Sequence, residues 1–406
     1  MSPRWHQKSA VPTGLPVSSP FPPRTEVRGY THGVPTGLFP LSRFQPRTQV
    51  RGYIRSVPTG RKDGLMAIRR IAVFSATLLA LSGCATTGGR GATPDAALRR
   101  RSVDALKAGL GYAANPAVRA LSVEALRWCP DEQAMPWVRT ALLDDHPAVR
   151  FAACVAIGER KDQGGMGGVR QRVGDSDAGV RVAALFALHR LGDESQTQRI
   201  PVYLLENPDA AVRRNAAMLL GLMGEKSAVK VLAGAMKDRD PGVRHYALEA
   251  LARLGNAEAK QELTFMANSG VGADETFAVQ ALAGSGDPRV EDTLRYKLQA
   301  APHLETKLAA ARGLALLGRS DGYQLALTSL TLMRATVHDP EDDPQGQVLR
   351  VRLLAAAAVG AMGNTDALPA LGGMLEKSSD PRVQIAAAQA ILRILDARRG
   401  RLRAGN

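Results

Sequence analysis

Aromatic side chains are scarce, 4% of the 406 residues, although hydrophobic residues reach 45%. Most of the apolar content is therefore Ala, Leu and Val. That argues against an aromatic-rich sandwich or a large α/β core and for helices packed through small side chains. Also missing are a CxxC pair, a glycine-rich phosphate loop after a strand, a GxSxG elbow and an HExxH helix, the short motifs that announce redox, nucleotide, hydrolase or zinc chemistry. Acidic residues are nearly absent from one part of the chain only. Residues 1–83 hold 12 basic and 2 acidic side chains, leaving 41 and 36 in the other 323, so the formal +15 is concentrated at the start. A body this close to neutral excludes the broad basic surface that nucleic-acid binding needs, and no nucleic-acid partner is expected.

Residues 1–65 carry a Pro/Gly-rich repeat with a period of 23, starting with VPTG at Val11, Val34 and Val57. It has no apolar periodicity of 2 or 3.6 and cannot bury a core, so it reads as disordered. Met66 opens a second beginning. Arg69 and Arg70 precede eleven uncharged residues, Ile71 to Leu81, and the stretch closes at Cys84. Eleven residues rise about 16 Å as a helix, too little to span a hydrocarbon core near 30 Å. The charged n-region, short h-region and small residues make residues 66–83 a secretory signal, with Met66 the expected true start. Leu81-Ser82-Gly83-Cys84 resembles the lipobox of bacterial lipoproteins. The resemblance implies cleavage before Cys84, acylation of Cys84 including palmitate, and anchorage to a membrane. Residues 84–94 then form a flexible tether, and Ala85 after the cysteine resembles lipoproteins sorted to the outer membrane, facing the periplasm.

From residue 95 the chain repeats. Val118-Arg119, Val149-Arg150, Val180-Arg181, Val212-Arg213 and Val243-Arg244 follow at spacings of 31, 31, 32 and 31. Degenerate copies occur at Asp274-Glu275 and Thr306-Lys307, and further copies at Val351-Arg352 and Val383-Gln384, nine units in all. Constant spacing of this size marks a solenoid. In the unit from Asp238, Asp240 is placed to cap a helix, Pro241 to occupy its first turn, and Gly255 to end it. Val243, Ala247, Ala250, Leu251 and Leu254 make the apolar stripe between. Six units keep the terminal glycine (Gly192, Gly224, Gly255, Gly286, Gly318, Gly363), and eight of nine have Ala four residues after the Val position, Ser122 being the exception. A shorter amphipathic helix precedes each capped one, for example over 134–145, 228–238 and 367–377, so each unit is a helical hairpin. The recurrent arginine is expected to stitch neighbouring units through an Asp or through carbonyls.

The pattern D-P-x-V-R-x-x-A-x-x-A-L-x-x-L-G resembles the short HEAT-like repeats of phycobilisome-lyase-type proteins, over residues 95–397. The resemblance implies an all-α, right-handed α-solenoid of about nine hairpins, an ARM/HEAT-type superhelix whose second helices line the concave face. Residues 398–406 are left as a basic tail.

Chemistry is hard to find in this array. His146, His189, His245, His303 and His338 form no metal-binding pair, and no catalytic residue, metal or cofactor is expected. Cys129 and Cys154 fall at core-like positions of neighbouring units; buried free thiols are the preferred reading over a disulfide in an oxidising periplasm. The unit before Val351 is longer by 14 residues and includes the acidic stretch 337–344, which lacks the ligand spacing and central Gly of a calcium loop and reads as a solvated loop at one edge. In register, the outward positions of the second helices are Glu124 and Trp128, Val155 and Glu159, Phe186 and Arg190, Met218 and Leu222, Glu249 and Arg253. Trp128, Phe186, Arg190, Met218, Glu249 and Arg253 are the candidate partner-binding residues. The reading that follows is a lipid-anchored, non-enzymatic protein-binding scaffold at the bacterial cell envelope, with envelope proteins as partners and no small-molecule substrate. The alternative is an enzyme or enzyme accessory related to lyases or hydroxylases built on the same repeat.

Overall fold

Short polar side chains start the second helix of most units, and the structure shows why. Asn115, His146, Asp177, Asp209, Asp240 and Asp343 each accept a hydrogen bond from a first-turn backbone N–H, which satisfies donors the helix itself leaves unpaired. At the other end, the six repeat glycines all have φ between 65° and 94°, the left-handed conformation that ends a helix without a Cβ penalty. In the second unit Lys161 holds the same position with φ 50°.

The computed structural model describes residues 93–129, 134–334 and 343–404, all in one compact unit. They are helical throughout, with no strand among them. Nine hairpins follow one another. Their outer helices are α1 (Pro94–Leu110), α3 (Ala134–Thr140), α5 (Met166–Arg172), α7 (Arg199–Glu206), α9 (Val229–Ala235), α11 (Ala257–Met266), α13 (Glu291–Ala300), α15 (Tyr323–Ser329) and α17 (Leu368–Lys377). The inner ones are α2 (Pro116–Leu126), α4 (Pro147–Arg160), α6 (Ala178–Arg190), α8 (Ala210–Met223), α10 (Pro241–Arg253), α12 (Gly272–Gly284), α14 (Leu304–Leu316), α16 (Pro344–Met362) and α18 (Pro381–Ala404). Both degenerate units are therefore complete hairpins. Residues 1–92, with Cys84, and the acidic stretch 337–342 lie outside the described residues.

Each inner helix packs on the next inner helix. The alanine four residues after the repeat valine is fully buried in every unit that has it, from Ala153 to Ala387. Close approach also uses glycine: a Cβ at Gly221 would stand 2.8 Å from the Ala250 Cα, and one at Gly360 would stand 2.9 Å from the Ala390 Cα.

The repeat arginines stitch the stack. Arg150 donates to both carboxylate oxygens of Asp175 at 2.9 and 2.7 Å and to the Asp144 and Asp145 carbonyls at 3.0 Å. Arg119 with Asp144 and Arg213 with Asp238 repeat this bidentate geometry 25 residues apart. Arg181 and Arg244 hold carbonyls of the turn before their own helix, and Arg352 reaches the Leu330 carbonyl. In α12 the polarity is inverted: Glu275 stands at the arginine position and pairs with Lys297 of α13 at 3.4 Å, both buried.

The two ends of the array depart from a plain stack of repeats. A solenoid has open ends, but here the ends meet: α1 packs against both α18 and α2, and α18 also touches α2. Arg99 pairs with Asp396, Arg101 with Glu376, and Arg398 with Asp95 at 2.6 Å. At this seam a Cβ on Gly109 would collide with the Ser122 Oγ and press on Ile385, which is where the one unit with Ser for Ala falls. The nine hairpins thus close into a ring. The expected basic tail is also not separate, because α18 runs on to Ala404 and Arg398 is part of the closure.

Candidate functional site

Closure turns the inner-helix face into the lining of a ring. The positions six and ten residues after the repeat valine, continued through all nine units, add Gln280 and Gly284, Arg312 and Leu316, Ala357 and Ala361, and Gln389 and Arg393 to the earlier register.

These positions divide by burial. Phe186 and Val155 are 0% and 1% exposed, so Phe186 is corrected from a partner-binding residue to a core residue. Its ring edge lies 3.1 Å from where a Cβ would stand on Gly158, so the missing side chain at Gly158 makes room for it. Met218 and Leu222 are half-buried against the same core. Trp128, by contrast, is 47% exposed, and Arg253 is exposed as well.

Charged groups converge around Trp128. The Arg127 guanidinium lies 4.8 Å from its ring centroid and that of Arg393 5.3 Å, within range of a cation–π attraction. Arg127 also pairs with Glu159 across α2 and α4, and Arg253 pairs with Glu249 at 3.3 Å along α10. Arg253 reaches toward α12, its Nη2 only 3.2 Å from where a Cβ on Gly284 would stand.

Desolvation shapes this cluster. Burial pushes the Glu124 carboxyl well above the ordinary range, the field of Glu159 adding to it against the opposing field of Arg127. Both Glu124 oxygens are buried without a hydrogen-bond partner among the described residues. Burial raises Glu159 too, against the fields of Arg127, Arg190 and Arg253. On the basic side, burial lowers Arg127 against the attraction of Glu159 and Glu124. Arg312 is pushed down to about 10 by burial and then by the like charges of Arg393, Arg253 and Arg127, with Glu249 opposing. Burial and Arg127 lower Arg393. Side chains of α2, α10, α14 and α18 therefore act on one another across the ring.

Arg190, Glu249, Arg253 and Trp128 are thus gathered where the register placed them. Arg127, Arg312 and Arg393 were not among the candidates. The register extended through the last units contains Arg312 and Arg393, whereas Arg127 sits one position off it, at the end of α2. Cys129 and Cys154 are buried free thiols, and burial pushes the Cys154 thiol up, which makes it a poor nucleophile. Among the described residues no three His, Cys, Asp or Glu side chains stand together as a metal set, and no helix is long and apolar enough to cross a membrane.

Residues 103–188 and 201–275 match the family model for HEAT repeats. Among solved structures, the chain is similar to the CpcE–CpcF complex of phycocyanin lyase from Nostoc sp. PCC7120, at 16% identity and TM-score 0.38, over 69% of this chain and 99% of that one. It is also similar to human deoxyhypusine hydroxylase, at 16% identity and TM-score 0.32, over 74% and 98%. Kap121p matches at 16% identity and TM-score 0.30, over 71% of this chain and 37% of its own. Likeness of this degree says nothing of activity. No curated protein matches the sequence.

Proposed function

We propose, from the premise that this chain is a HEAT-like repeat protein, that it serves as a lipid-anchored, non-enzymatic interaction scaffold at the bacterial cell envelope. The observation that carries this reading is a set of exposed apolar side chains on outer helices. Val202 and Leu205 on α7, Phe265 on α11 and Tyr296 on α13 are 49%, 57%, 63% and 58% exposed. An open groove lined by Arg199, Val202, Tyr203 and Glu206 runs beside the first two. Large apolar groups left exposed on several outer helices are what a protein partner covers, and the flanking charges supply the polar rim.

The anchor half of the proposal rests on Leu81-Ser82-Gly83-Cys84 and the signal before it. Several acyl chains on Cys84 would hold the ring at a membrane and raise its local concentration near envelope partners.

Both halves are testable in cells. Fatty-acid labelling that is present in the wild type and absent in Cys84→Ser, with residues 1–83 missing from the intact mass, is the expected result. An unlabelled protein that keeps its N-terminus overturns the anchor. A photo-cross-linker at Phe265 should capture one discrete envelope protein, and Leu205→Asp should abolish the capture. Capture unchanged by Leu205→Asp overturns the outer-face reading.

A further inference from the structure

On the outer face, the charges of α7 run against its own dipole. The helix begins with Arg199 and ends with Glu206, although a helix favours an acid near its N-terminus and a base near its C-terminus. Outer helices α1 and α13 follow that preference, with Asp95 ahead of Lys107 and Glu291 ahead of Lys297. Arg199 and Glu206 are both exposed. Arg199 donates to Gln196 at 2.5 Å, and neither charge has an ion-pair partner among the described residues. Their placement therefore does not serve the helix that carries them.

Successive helical residues turn by about 100°, so Arg199, Val202 and Glu206 share one stripe. It faces away from the buried Ile200 and Leu204, and exposed Leu205 lies beside it. Both charges and Val202 also line the groove next to Tyr203. A stripe that reads basic, apolar, acidic is complementary to its own reverse. Laid end for end on a second α7, Arg199 of each copy meets Glu206 of the other, and Val202 falls close to its counterpart. Each charge then stands at the end of the opposite helix that favours it. An arrangement unfavourable within one chain becomes favourable between two.

We propose that α7 is a self-association surface, on which a second copy of this chain docks antiparallel about a two-fold axis beside Val202. Such a contact is isologous, the same patch serving both copies. Burial of Val202 and Leu205 supplies the attraction, and the charges fix the direction. Eight residues make a helix about 12 Å long, less than a standard interface covers, so the pair is weak in free solution. Confinement to a membrane would strengthen it by raising local concentration. The inference rests on the outer-face docking reading and names the occupant of that face at α7.

The experiment places Val202→Cys in the full-length chain carrying Cys84→Ser, so that the result does not depend on acylation. A short bis-maleimide is the cross-linker, and the same chain without Val202→Cys is the control, Cys129 and Cys154 being buried. A product of twice the chain mass, less abundant at high salt, is the expected result. Arg199→Glu and Glu206→Arg should each lower its yield about tenfold, because like charges then meet at both ends. Mixing these two variants should recover the yield as a mixed pair, since every acid again faces a base. Both residues are on the surface, and an unchanged helical spectrum checks that each variant is folded. No doubled product, or a mixture no better than either variant alone, overturns the proposal. In cells, a photo-cross-linker at Val202 that captures an unrelated protein and no second copy overturns it while outer-face docking stands. A doubled product without any capture at Phe265 supports self-association and removes the other partner.

Discussion

Lys161 sits where most other units have glycine, exposed and with φ 50° and ψ 41° at the end of α4. A side chain in that left-handed conformation costs about 1 kcal/mol or more, and glycine's extra freedom in the unfolded chain returns part of the gain. Lys161→Gly should therefore stabilise the protein by about 0.5 kcal/mol. The check is a higher denaturant midpoint at an unchanged slope; a lower midpoint would show that Lys161 makes contacts worth more than its strain. Every repeat glycine marks a helix end in this protein, a position visible from sequence because the conformational need is local.

Between elements, the arginine–aspartate pairs link one hairpin to the next. Burial works to raise Asp144, Asp175 and Asp238, but the guanidinium hydrogen bonds and the backbone N–H groups they accept hold all three below the usual carboxylate range. Carboxylates held low in the folded state contribute stability above the unfolded value near pH 4, and lose it as pH falls through the lower folded value. Tm should therefore drop on acidification below about pH 4. Arg150→Met leaves Asp175 without its main partner and should cost about 3 kcal/mol at pH 7. Because the variant has less to lose, its deficit should shrink between pH 5 and pH 3. Parallel pH curves for variant and wild type would show that Asp175 is not held low by Arg150.

For the whole molecule, closure changes what each unit depends on. In an open array the terminal units need polar outer faces; here α1 and α18 bury apolar surface against each other, with Leu98, Leu106, Ile385 and Ile391 in the core. Cysteines placed by Asp95→Cys and Arg398→Cys should join readily through a short bifunctional maleimide, since the native pair stands 2.6 Å apart. The linked protein should melt higher than the unlinked one, because the cross-link shortens the open chain of the unfolded state. A failure to link within one molecule would mean the ring is open.

Repeat period, helix caps, terminal glycines, buried alanines and the stitching role of the arginines were all legible in the amino-acid order. Each is decided within one unit or between adjacent units about 31 residues apart. Closure was not, because it joins Arg99 to Asp396 across 297 residues, and no local pattern reports whether small rotations summed over nine hairpins return the chain to its start. The same summation made Phe186 core, left Trp128 exposed, and brought Arg127, Arg253, Arg312 and Arg393 to one place. A side chain's distance from others on the far side of a ring depends on curvature, and only the tertiary structure sets that.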